Sequence, residues 1–598
     1  MSNLSRPLLR SLLVSLFATL LSLLVLIPFA IGWLEPQAWL VNNDHLAPFD
    51  YVRQLFTGQI EWNQITHARI PSVWPDYAIA GLSLFFFGQG SSAFVLSWLL
   101  QFALCVFGLY CFLPPLVGRK SALGFSLIVA CIFLFLVFLF EDYRGIVFAA
   151  GIPARHGGNW INFAFASALF LYSLRLRHSR VGLWACRGLL FAVSMVAVFS
   201  NRLFLIQFTV PLVLVCAAYC LLQYPLILQG LNSFIRSRFF GLTLAVVAGS
   251  FCGFAQYFLS MHQCEEVPVG IGSAAWISFL SQGGLFEPVS LYLILSAIFL
   301  VIGFCLCWKK LRGIGPQELE LLGGSSAIRG LGLVFLGLAI SLNCLAYFSV
   351  SEDLFDPSLW RYLLVPSFLA PVGVALLLLP LLEPLNIGFR VFSSRKYLAL
   401  LGWIGFAGLA VESSALVSRV SSRFSADYSS QGQWLAALLR DHGLSGSLGF
   451  VADPPWESRR IEFNSQGSIR ALSVSTDGNP RIHPHSRVQF LAGGREVDPL
   501  KPSSRDVVAP AWVLASPKDF DRMQAFWGEP LSQIGCFRAK GCLYLFDVEK
   551  VKANTSVFLS TWHSEKYGCV RGGSETVRAK GLDLIRRIPV VGRVFVGG

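Results

Sequence analysis

Carboxylate residues stand at the ends of two long apolar segments of the chain. Asp44 follows the first apolar run, in NNDH, and Glu141 and Asp142 follow the third, in FEDYRG. A carboxylate held by a helix end at a membrane surface is partly desolvated and rigidly placed, which suits a general base or a ligand for a cation. The simpler alternative is that acidic residues are merely tolerated there, because they contribute little to membrane orientation.

Cationic and aromatic residues in the connecting segments add candidate ligands for an anion. Arg155 and His156 lie in GIPARHGGNW, Arg202 lies in FSNRLF, and Arg361 and Tyr362 lie in SLWRYLLVPS. Arginine binds phosphate well because its planar guanidinium donates two parallel hydrogen bonds. For each arginine, a structural ion pair or extension of the side chain to lipid headgroups is the alternative.

Two further polar residues lie in the first connecting segment. His45 is adjacent to Asp44 and could orient a substrate, with a solvated loop histidine as the alternative. Asp76, in WPDYAIAG, either caps the helix that follows it or binds a substrate.

Long apolar helices must position these residues. The 598 residues are 55% hydrophobic and only 14% charged, and the mean hydropathy is +0.61. These values lie far outside the range of soluble globular proteins. Apolar runs long enough to cross ~30 Å of hydrocarbon as helices recur along the chain, and we predict about eleven membrane spans. The predicted spans are 9–33, 91–117, 121–140, 159–175, 181–199, 203–222, 239–259, 289–308, 329–348, 363–384 and 397–417.

The distribution of charge predicts the orientation of these spans. Basic residues concentrate in alternate connecting segments, as at Arg119–Lys120 and Arg175–Arg177, whereas acidic residues lie mostly in the other segments. The positive-inside rule then places the N-terminus in the cytoplasm and the C-terminus outside. Juxtamembrane Lys and Arg also explain much of the net charge of +13. We therefore expect membrane lipids as partners and no nucleic acid.

Two regions are predicted to lie outside the membrane on the outer side, namely residues 34–90 and residues 418–598. In the second region, strand patterns in SLGFVAD, SIRALSV and PAWVLAS alternate with helix patterns, of which SPKDFDRMQAFWG has a Ser cap. This alternation predicts a small α/β domain. Residues 581–598 are apolar and basic, and we expect them to lie along the membrane surface.

The fold class predicted is thus a polytopic α-helical membrane protein over residues 1–417, followed by an extracytoplasmic α/β domain over residues 418–598. In that domain Cys536 and Cys542 flank the turn of a predicted hairpin, CFRAKGCLYLFD. They could form a disulfide if the compartment is oxidising, and free thiols are the alternative.

The layout resembles the GT-C glycosyltransferases, which are polytopic membrane enzymes that use polyprenyl-phosphate-linked sugars. The likeness covers the whole chain as an arrangement of elements. It is carried by the acidic residue after the first helix in NNDH, by the aromatic first outer segment with HARIPSVWPDY, and by the acidic pair in FEDYRG. A terminal region with VADPPWESRRIEFNSQG, FWGEP and a cysteine-containing hairpin adds to it.

The resemblance implies a transfer of sugar from a polyprenyl-phosphate donor to a lipid or glycan acceptor, in the inner membrane of a bacterium with the C-terminal domain in the periplasm. It implies that Asp44 deprotonates or orients the acceptor hydroxyl. It also implies that Glu141 and Asp142 bind a divalent cation, Mg²⁺ or Mn²⁺, or instead position a substrate. The residues it implies for binding the lipid phosphate and the substrates are Arg155, His156, Arg202, Arg361, Tyr362, His45 and Asp76.

Two other classes of function stay open from the sequence. A flippase or transporter of a lipid-linked glycan would move its substrate without sugar transfer, and a membrane scaffold would bind partners through its external domain. The predicted spans contain almost no ionisable residues, whereas ion-driven transporters usually carry them near the bilayer midplane. The sequence therefore favours a site at one membrane face over a path through the membrane.

Overall fold

The computed structural model describes thirteen parts of the chain, and the last of them is described in pieces. They are residues 2–34, 43–56, 72–117, 122–153, 157–174, 180–222, 238–260, 288–311, 326–348, 362–382, 395–424, 430–445 and, within 448–551, residues 448–452, 461, 463, 465, 469–475, 481–482, 491–492, 495–496, 511–537, 541–547 and 550–551.

Helices make up most of the described residues before position 425. They are α1 (Ser2–Leu34), α2 (Asn43–Phe56), α3 (Asp76–Phe87), α4 (Ser91–Cys111), α5 (Leu113–Val117), α6 (Ala122–Leu139), α7 (Glu141–Ala149), α8 (Gly157–Leu174), α9 (Arg180–Ser200), a π-helix (Leu205–Thr209), α10 (Val210–Leu222), α11 (Arg238–Ser260), α12 (Pro288–Leu311), α13 (Ser326–Phe348), α14 (Leu364–Leu382) and α15 (Arg395–Phe424).

Within the described residues, seven helical segments are long and apolar enough to cross a membrane. This is consistent with the predicted polytopic helical protein. The seven segments are Ser11–Gly32, Ser91–Val117, Ala122–Leu139, Val181–Ser200, Arg238–Tyr257, Val289–Trp308 and Arg329–Phe348. The first connecting segment, expected between residues 34 and 90, contains the two helices α2 and α3 in addition to loops.

Glycine residues allow the long helices to approach each other closely. A Cβ atom at Gly330 of α13 would lie 2.9 Å from the Sγ atom of Cys307 and 3.0 Å from the carbonyl oxygen of Gly303, both in α12. Gly249 and Gly253 of α11 lie in the same way against the main chain of α9. Small residues are favoured at such crossings because packing, and not the hydrophobic effect, holds helices together in lipid.

The chain after residue 430 contains a mixed sheet between two helices. The elements are α16 (Ser430–Asp441), β1 (Leu448–Ala452), β2 (Arg470–Ser475), β3 (Arg481–Ile482), β4 (Leu491–Ala492), β5 (Arg495–Glu496), β6 (Ala511–Ala515), α17 (Pro517–Trp527), β7 (Ser532–Phe537) and β8 (Gly541–Phe546). Six strands are ordered β3-β2-β1-β6-β8-β7, and β1 runs parallel to β2 and β6. The strands predicted in SLGFVAD, SIRALSV and PAWVLAS are confirmed as β1, β2 and β6.

The two faces of this sheet carry separate apolar clusters because successive side chains of a strand point to opposite faces. Phe450 belongs to the cluster that contains Trp527 of α17, whereas its neighbour Val451 belongs to the cluster that contains Leu435 of α16. Ser516 caps α17 by accepting a hydrogen bond from the backbone N–H of Asp519, as the sequence predicts. Cys536 and Cys542 form a disulfide across the β7–β8 hairpin.

One contact links the carboxyl-terminal region to the first connecting segment. The ring of Phe463 lies 5.3 Å from the ring of Phe49 in α2, in an edge-to-face arrangement. Phe49 also contacts Phe94 of α4, at 6.2 Å between ring centroids. Both Phe49 and Phe463 are buried and belong to the main apolar core. The helix that carries Asp44 is therefore held between a long helix and the carboxyl-terminal region.

Candidate functional site

The first connecting segment is attached to the ends of two long helices. The backbone N–H of Ser72 donates to the carbonyl oxygen of Ser200 at 3.0 Å, and the backbone N–H of Trp74 donates to the Ser200 hydroxyl at 3.0 Å. The side-chain amide of Asn162 in α8 donates to the carbonyl oxygen of Trp74 at 3.2 Å. We call the group formed by Ser72, Trp74, Asp76, Asn162 and Ser200 the loop-one junction.

Asp76 is the buried carboxylate of this junction. It is the first residue of α3, follows a cis Trp74–Pro75 peptide bond, and is only 3% exposed. Its Oδ2 atom lies against Gly158, in the first turn of α8. The first turns of both helices carry partial positive charge, which favours a carboxylate at that point.

Asp76 is not the N-cap residue of α3. That position is Pro75, and Asp76 is the first helical residue, in the first turn. Asp76 is instead placed where α3 and α8 both begin. The physical reason is that the fold brings two helix starts together, which no local pattern in WPDYAIAG indicates.

Two consecutive glycines allow close contacts at the start of α8. A Cβ atom at Gly157 would lie 2.6 Å from Nε2 of Gln101 in α4, and one at Gly158 would overlap Asp76 and lie 2.7 Å from Cδ of Pro75. Since only glycine lacks a Cβ atom, Gly158 is required for the packing of α3 against α8, and Gly157 for the packing of α8 against α4.

The acidic pair Glu141 and Asp142 lies on the exposed side of α7. The Glu141 side chain is 90% exposed and lies 4.0 Å from the Arg144 guanidinium, and Asp142 is exposed as well. Among the described residues, no group of three or more His, Cys, Asp or Glu side chains could hold a metal ion. The described donors therefore do not complete a cation site at this pair, although two carboxylates could contribute to one.

Tyr143 anchors α7 below the acidic pair. Its hydroxyl donates to the carbonyl oxygen of Ser367 in α14 at 2.7 Å, and the hydroxyl of Ser367 forms a hydrogen bond of 2.7 Å with that of Tyr292 in α12. Burial raises the pKa of Tyr143 well above 10, so the phenol is neutral and remains a donor. α7 is thereby fixed to two of the long helices.

The chain after α7 turns into the helix bundle. Trp98 of α4 donates from its indole nitrogen to the carbonyl oxygen of Phe148 at 3.0 Å. The side-chain amide of Gln101 donates to the carbonyl oxygens of Ala150 at 3.1 Å and Ile152 at 3.3 Å. These donors add side-chain hydrogen bonds to main-chain carbonyl groups of the buried segment and so fix its path against α4.

Three buried amide side chains form a hydrogen-bonded chain inside the bundle. The Nδ2 atom of Asn159 in α8 donates to Oε1 of Gln207 in the π-helix, and Nε2 of Gln207 donates to Oδ1 of Asn343 in α13 at 2.7 Å. The Oδ1 atom of Asn159 is buried and has no hydrogen-bond partner among the residues that the structure describes. π-Helical turns are frequent at functional sites because they displace one residue from its regular position.

This amide chain is absent from the sequence-based expectations. Asn159, Gln207 and Asn343 are widely separated along the chain, and each lies in a mostly apolar segment. The sequence indicated only that a buried amide side chain in lipid needs a hydrogen-bond partner, because burying it without one costs free energy. Which partner it finds depends on the helix packing.

Arg202 lies at the edge of the loop-one junction. It follows Ser200 by two residues, and its guanidinium carbon lies 4.5 Å from the centroid of the Tyr257 ring in α11. The adjacent Asn201 accepts a hydrogen bond of 3.0 Å from the backbone N–H of Leu203, which forms a local turn. A cation–π contact of this kind holds the position of the guanidinium without neutralising its charge.

The remaining predicted site residues are only partly described. His45 is 3% exposed, so the alternative of a solvated loop histidine is wrong. Asp44 is the second residue of α2, but its side chain lies outside the described part of the structure, as do Arg155, His156 and Arg361. Tyr362 is buried immediately before α14. Of the predicted site residues, Asp76 lies in the loop-one junction, and Arg202 follows Ser200 of that junction by two residues.

Comparison with other proteins adds no assignment to this geometry. No protein-family model matches the chain, and no curated protein or solved structure is significantly similar to it.

Proposed function

We propose that this chain is a membrane glycosyltransferase. It moves a sugar from a polyprenyl-phosphate-linked donor to a lipid or glycan acceptor at the outer face of the membrane. The observation that carries the proposal is the burial of the Asp76 carboxylate at the loop-one junction, two of whose hydrogen bonds end on Ser200, close in sequence to the cation Arg202. Sugar transfer from a lipid phosphate needs a carboxylate near the acceptor and positive charge near the departing phosphate.

The proposed topology has about eleven membrane spans, because the helices α8, α10, α14 and α15 are added to the seven apolar segments. The N-terminus is cytoplasmic by the positive-inside rule. The loop-one junction and the carboxyl-terminal α/β region then lie on the periplasmic side of a bacterial inner membrane. This arrangement is like that of the GT-C enzymes.

In the proposed reaction, Asp44 accepts the proton of the acceptor hydroxyl. The acceptor oxygen forms a bond to the anomeric carbon while the bond between that carbon and the phosphate oxygen breaks. The phosphate takes the electron pair, and Arg202 stabilises the negative charge that develops on it. Asp76 binds an acceptor or donor hydroxyl and positions the sugar. A single displacement of this kind inverts the configuration at the anomeric carbon.

Support for an interfacial site comes from the locations of the three amide side chains that form the hydrogen-bonded chain. Asn159 lies in the first turn of α8, Gln207 lies in the π-helix that precedes α10, and Asn343 lies within two turns of the end of α13. A flippase or transporter would need polar groups distributed along a path between the two membrane faces. The amide chain instead joins helix ends that meet at one side of the bundle.

The experiment that tests the proposal is transfer of radiolabelled sugar by the purified full chain, with a panel of defined polyprenyl-phosphate sugars as donors. We expect Asp44→Asn, Asp76→Asn and Arg202→Gln each to lower the transfer rate at least about a hundredfold, which corresponds to ~2.7 kcal/mol of transition-state stabilisation. Asp441→Asn, at the exposed last residue of α16, is the control.

If a folded Asp44→Asn variant kept full activity, Asp44 would not be the base that accepts the proton of the acceptor hydroxyl. Movement of the lipid-linked sugar across proteoliposome membranes without any transfer would favour the flippase. The same outcome would exclude the transferase.

A further inference from the structure

A single charged residue, Arg187, lies within the apolar segment Val181–Ser200 of α9. Its guanidinium carbon lies 4.9 Å from the centroid of the Trp184 ring, three residues earlier on the same helix. The guanidinium also lies against Gly241 of α11, where a Cβ atom would be 2.6 Å from Cζ and 2.9 Å from Nε of Arg187. An indole ring and the main chain of a second helix therefore hold this cation in place.

The helices α9 and α11 run parallel to each other. A Cβ atom at Gly249 of α11 would meet the main chain of Phe191, and one at Gly253 would meet the main chain of Met195. A step of four residues on α11 thus matches a step of four residues in the same direction on α9. Since α9 ends at Ser200 in the loop-one junction, the two helices begin together at the opposite end of the bundle.

The Arg187 side chain reaches toward that opposite end. The register of the two helices, extended by one step of four residues, pairs position 187 with position 245. The guanidinium lies instead against Gly241, four residues nearer the start of α11, which is ~6 Å along a helix. Long cationic side chains of membrane helices extend in this way toward the nearer membrane surface.

No described residue neutralises this cation. The Nε atom of Arg187 is buried with no hydrogen-bond partner, and no acceptor among the described residues binds its guanidinium. The sequence contains no Asp or Glu between Asp142 and Glu265, a stretch that includes α8, α9, α10 and α11, and α9 packs chiefly against α8 and α11. A cation in a membrane span needs an anionic or polar partner because burying the charge alone costs free energy. The anion for Arg187 therefore comes from outside this stretch of the chain.

The surroundings of Arg187 indicate a lipid as the source of the anion. Trp184 is 68% exposed and Leu189 is 53% exposed, so the surface beside the guanidinium is apolar and open to the membrane. Arg180 and Arg238 begin α9 and α11, which adds positive charge at the same end of the two helices. Basic pockets between membrane helices bind the headgroups of anionic lipids. A guanidinium whose face lies on an aromatic ring keeps its N–H edge for a two-bond contact with phosphate.

We propose that Arg187, Trp184 and Gly241 form a binding site for the phosphate of one anionic phospholipid, in the leaflet opposite to the loop-one junction. The guanidinium donates to two phosphate oxygens, and an acyl chain lies along Trp184 and the exposed face of α9. Because the guanidinium contacts α11 as well, the bound lipid links the starts of α9 and α11. The site lies at the other end of α9 from Ser200 and is separate from the transfer reaction.

The chain offers two pairs of matched variants for a test. Gly241→Leu places a side chain where the guanidinium lies, whereas Gly188→Leu adds the same side chain next to Arg187 at a position where a Cβ atom would meet nothing within 4 Å. Arg187→Gln removes the proposed phosphate ligand. Arg329→Gln removes the same charge at the start of another membrane-crossing segment, Arg329–Phe348, which the charge pattern predicts to begin on the same side of the membrane.

The measurement is native mass spectrometry of the detergent-solubilised full chain titrated with phosphatidylglycerol. We expect the wild-type chain, Gly188→Leu and Arg329→Gln to bind the first lipid with the same affinity. For Arg187→Gln and Gly241→Leu we expect that affinity to fall at least about tenfold. Phosphatidylcholine should bind at least about tenfold more weakly than phosphatidylglycerol, because its choline group already compensates the phosphate charge. Inorganic phosphate at the same concentration as the lipid should not displace it, because it lacks the acyl chains.

Equal affinities of Arg187→Gln and Arg329→Gln would overturn the proposal, because the lipid would then respond only to the total positive charge at that membrane face. Displacement by equimolar inorganic phosphate would also overturn it and would identify a site for free phosphate. The two arginine variants leave the apolar helix contacts intact, so this pair decides the question even if Gly241→Leu fails to fold. The readout contains no sugar, so its result is independent of the transferase assay.

Discussion

The carboxylate of Asp76 lies against Gly158 at the point where α3 and α8 begin, and any side chain at position 158 would overlap it. The close approach of the two helix starts therefore depends on the absence of a side chain at position 158. The relationship also explains how a residue of the first connecting segment comes to be buried beside a helix that starts more than seventy residues later.

The first prediction concerns this contact. In Gly158→Ala the added methyl group must displace Asp76 and Pro75, so we expect sugar transfer to fall at least about tenfold while the chain still folds. Gly188→Ala in α9 is the control, because a Cβ atom there would meet nothing within 4 Å. The measurement is the transfer rate of both variants with the same donor and acceptor. Equal rates would show that the position of Asp76 is unimportant.

The second prediction concerns the amide chain. Gln207→Leu removes the partner of both Asn159 and Asn343, and we expect a loss of about 1–3 kcal/mol in the free energy of unfolding. The measurement is unfolding of the purified chain in mixed micelles. The double variant Gln207→Leu/Asn343→Leu should lose less free energy of unfolding than the two single variants lose when added together, because the two residues share one hydrogen bond. Strict additivity would mean that the bond contributes nothing to stability.

The third prediction concerns the anchor of α7. Tyr143→Phe should lower the free energy of unfolding by about 1 kcal/mol, because the carbonyl oxygen of Ser367 loses its donor. The pKa of Tyr143 is raised well above 10, so the phenol keeps its proton and the loss should be the same at pH 6 and pH 9. Asp142→Asn, in the same helix but exposed, should change stability by less than about 0.5 kcal/mol. A pH-dependent loss would contradict the neutral donor.

The fourth prediction concerns the contact between the carboxyl-terminal region and α2. Phe463→Ala removes a buried ring from Phe49, and we expect a destabilisation of ~3–5 kcal/mol together with faster proteolysis in the segment that follows α2. Phe463→Leu keeps most of the volume and should retain most of the stability. If Phe463→Ala left cleavage in that segment unchanged, the contact would not hold α2 in place.

Much of the fold follows from local pattern. Continuous apolar runs predict helices because a helix satisfies its own backbone hydrogen bonds in lipid. The strands β1, β2 and β6, the Ser516 cap and the cysteine hairpin were likewise predictable, because each depends on a few neighbouring residues. The candidate site was predictable only as a collection of residue types, since Asp76 could be named but its burial against Gly158 could not be foreseen.

By itself, the sequence determined the helical, membrane-spanning character of the chain and its unequal distribution of charge. Both are properties of short segments and depend on hydropathy and on the cost of burying charge. Only the tertiary structure decided that Asp76 is buried at the start of α8 and that Asn159, Gln207 and Asn343 form one chain. These contacts join residues far apart in the sequence, and the packing of whole helices selects them among many alternatives of similar local energy.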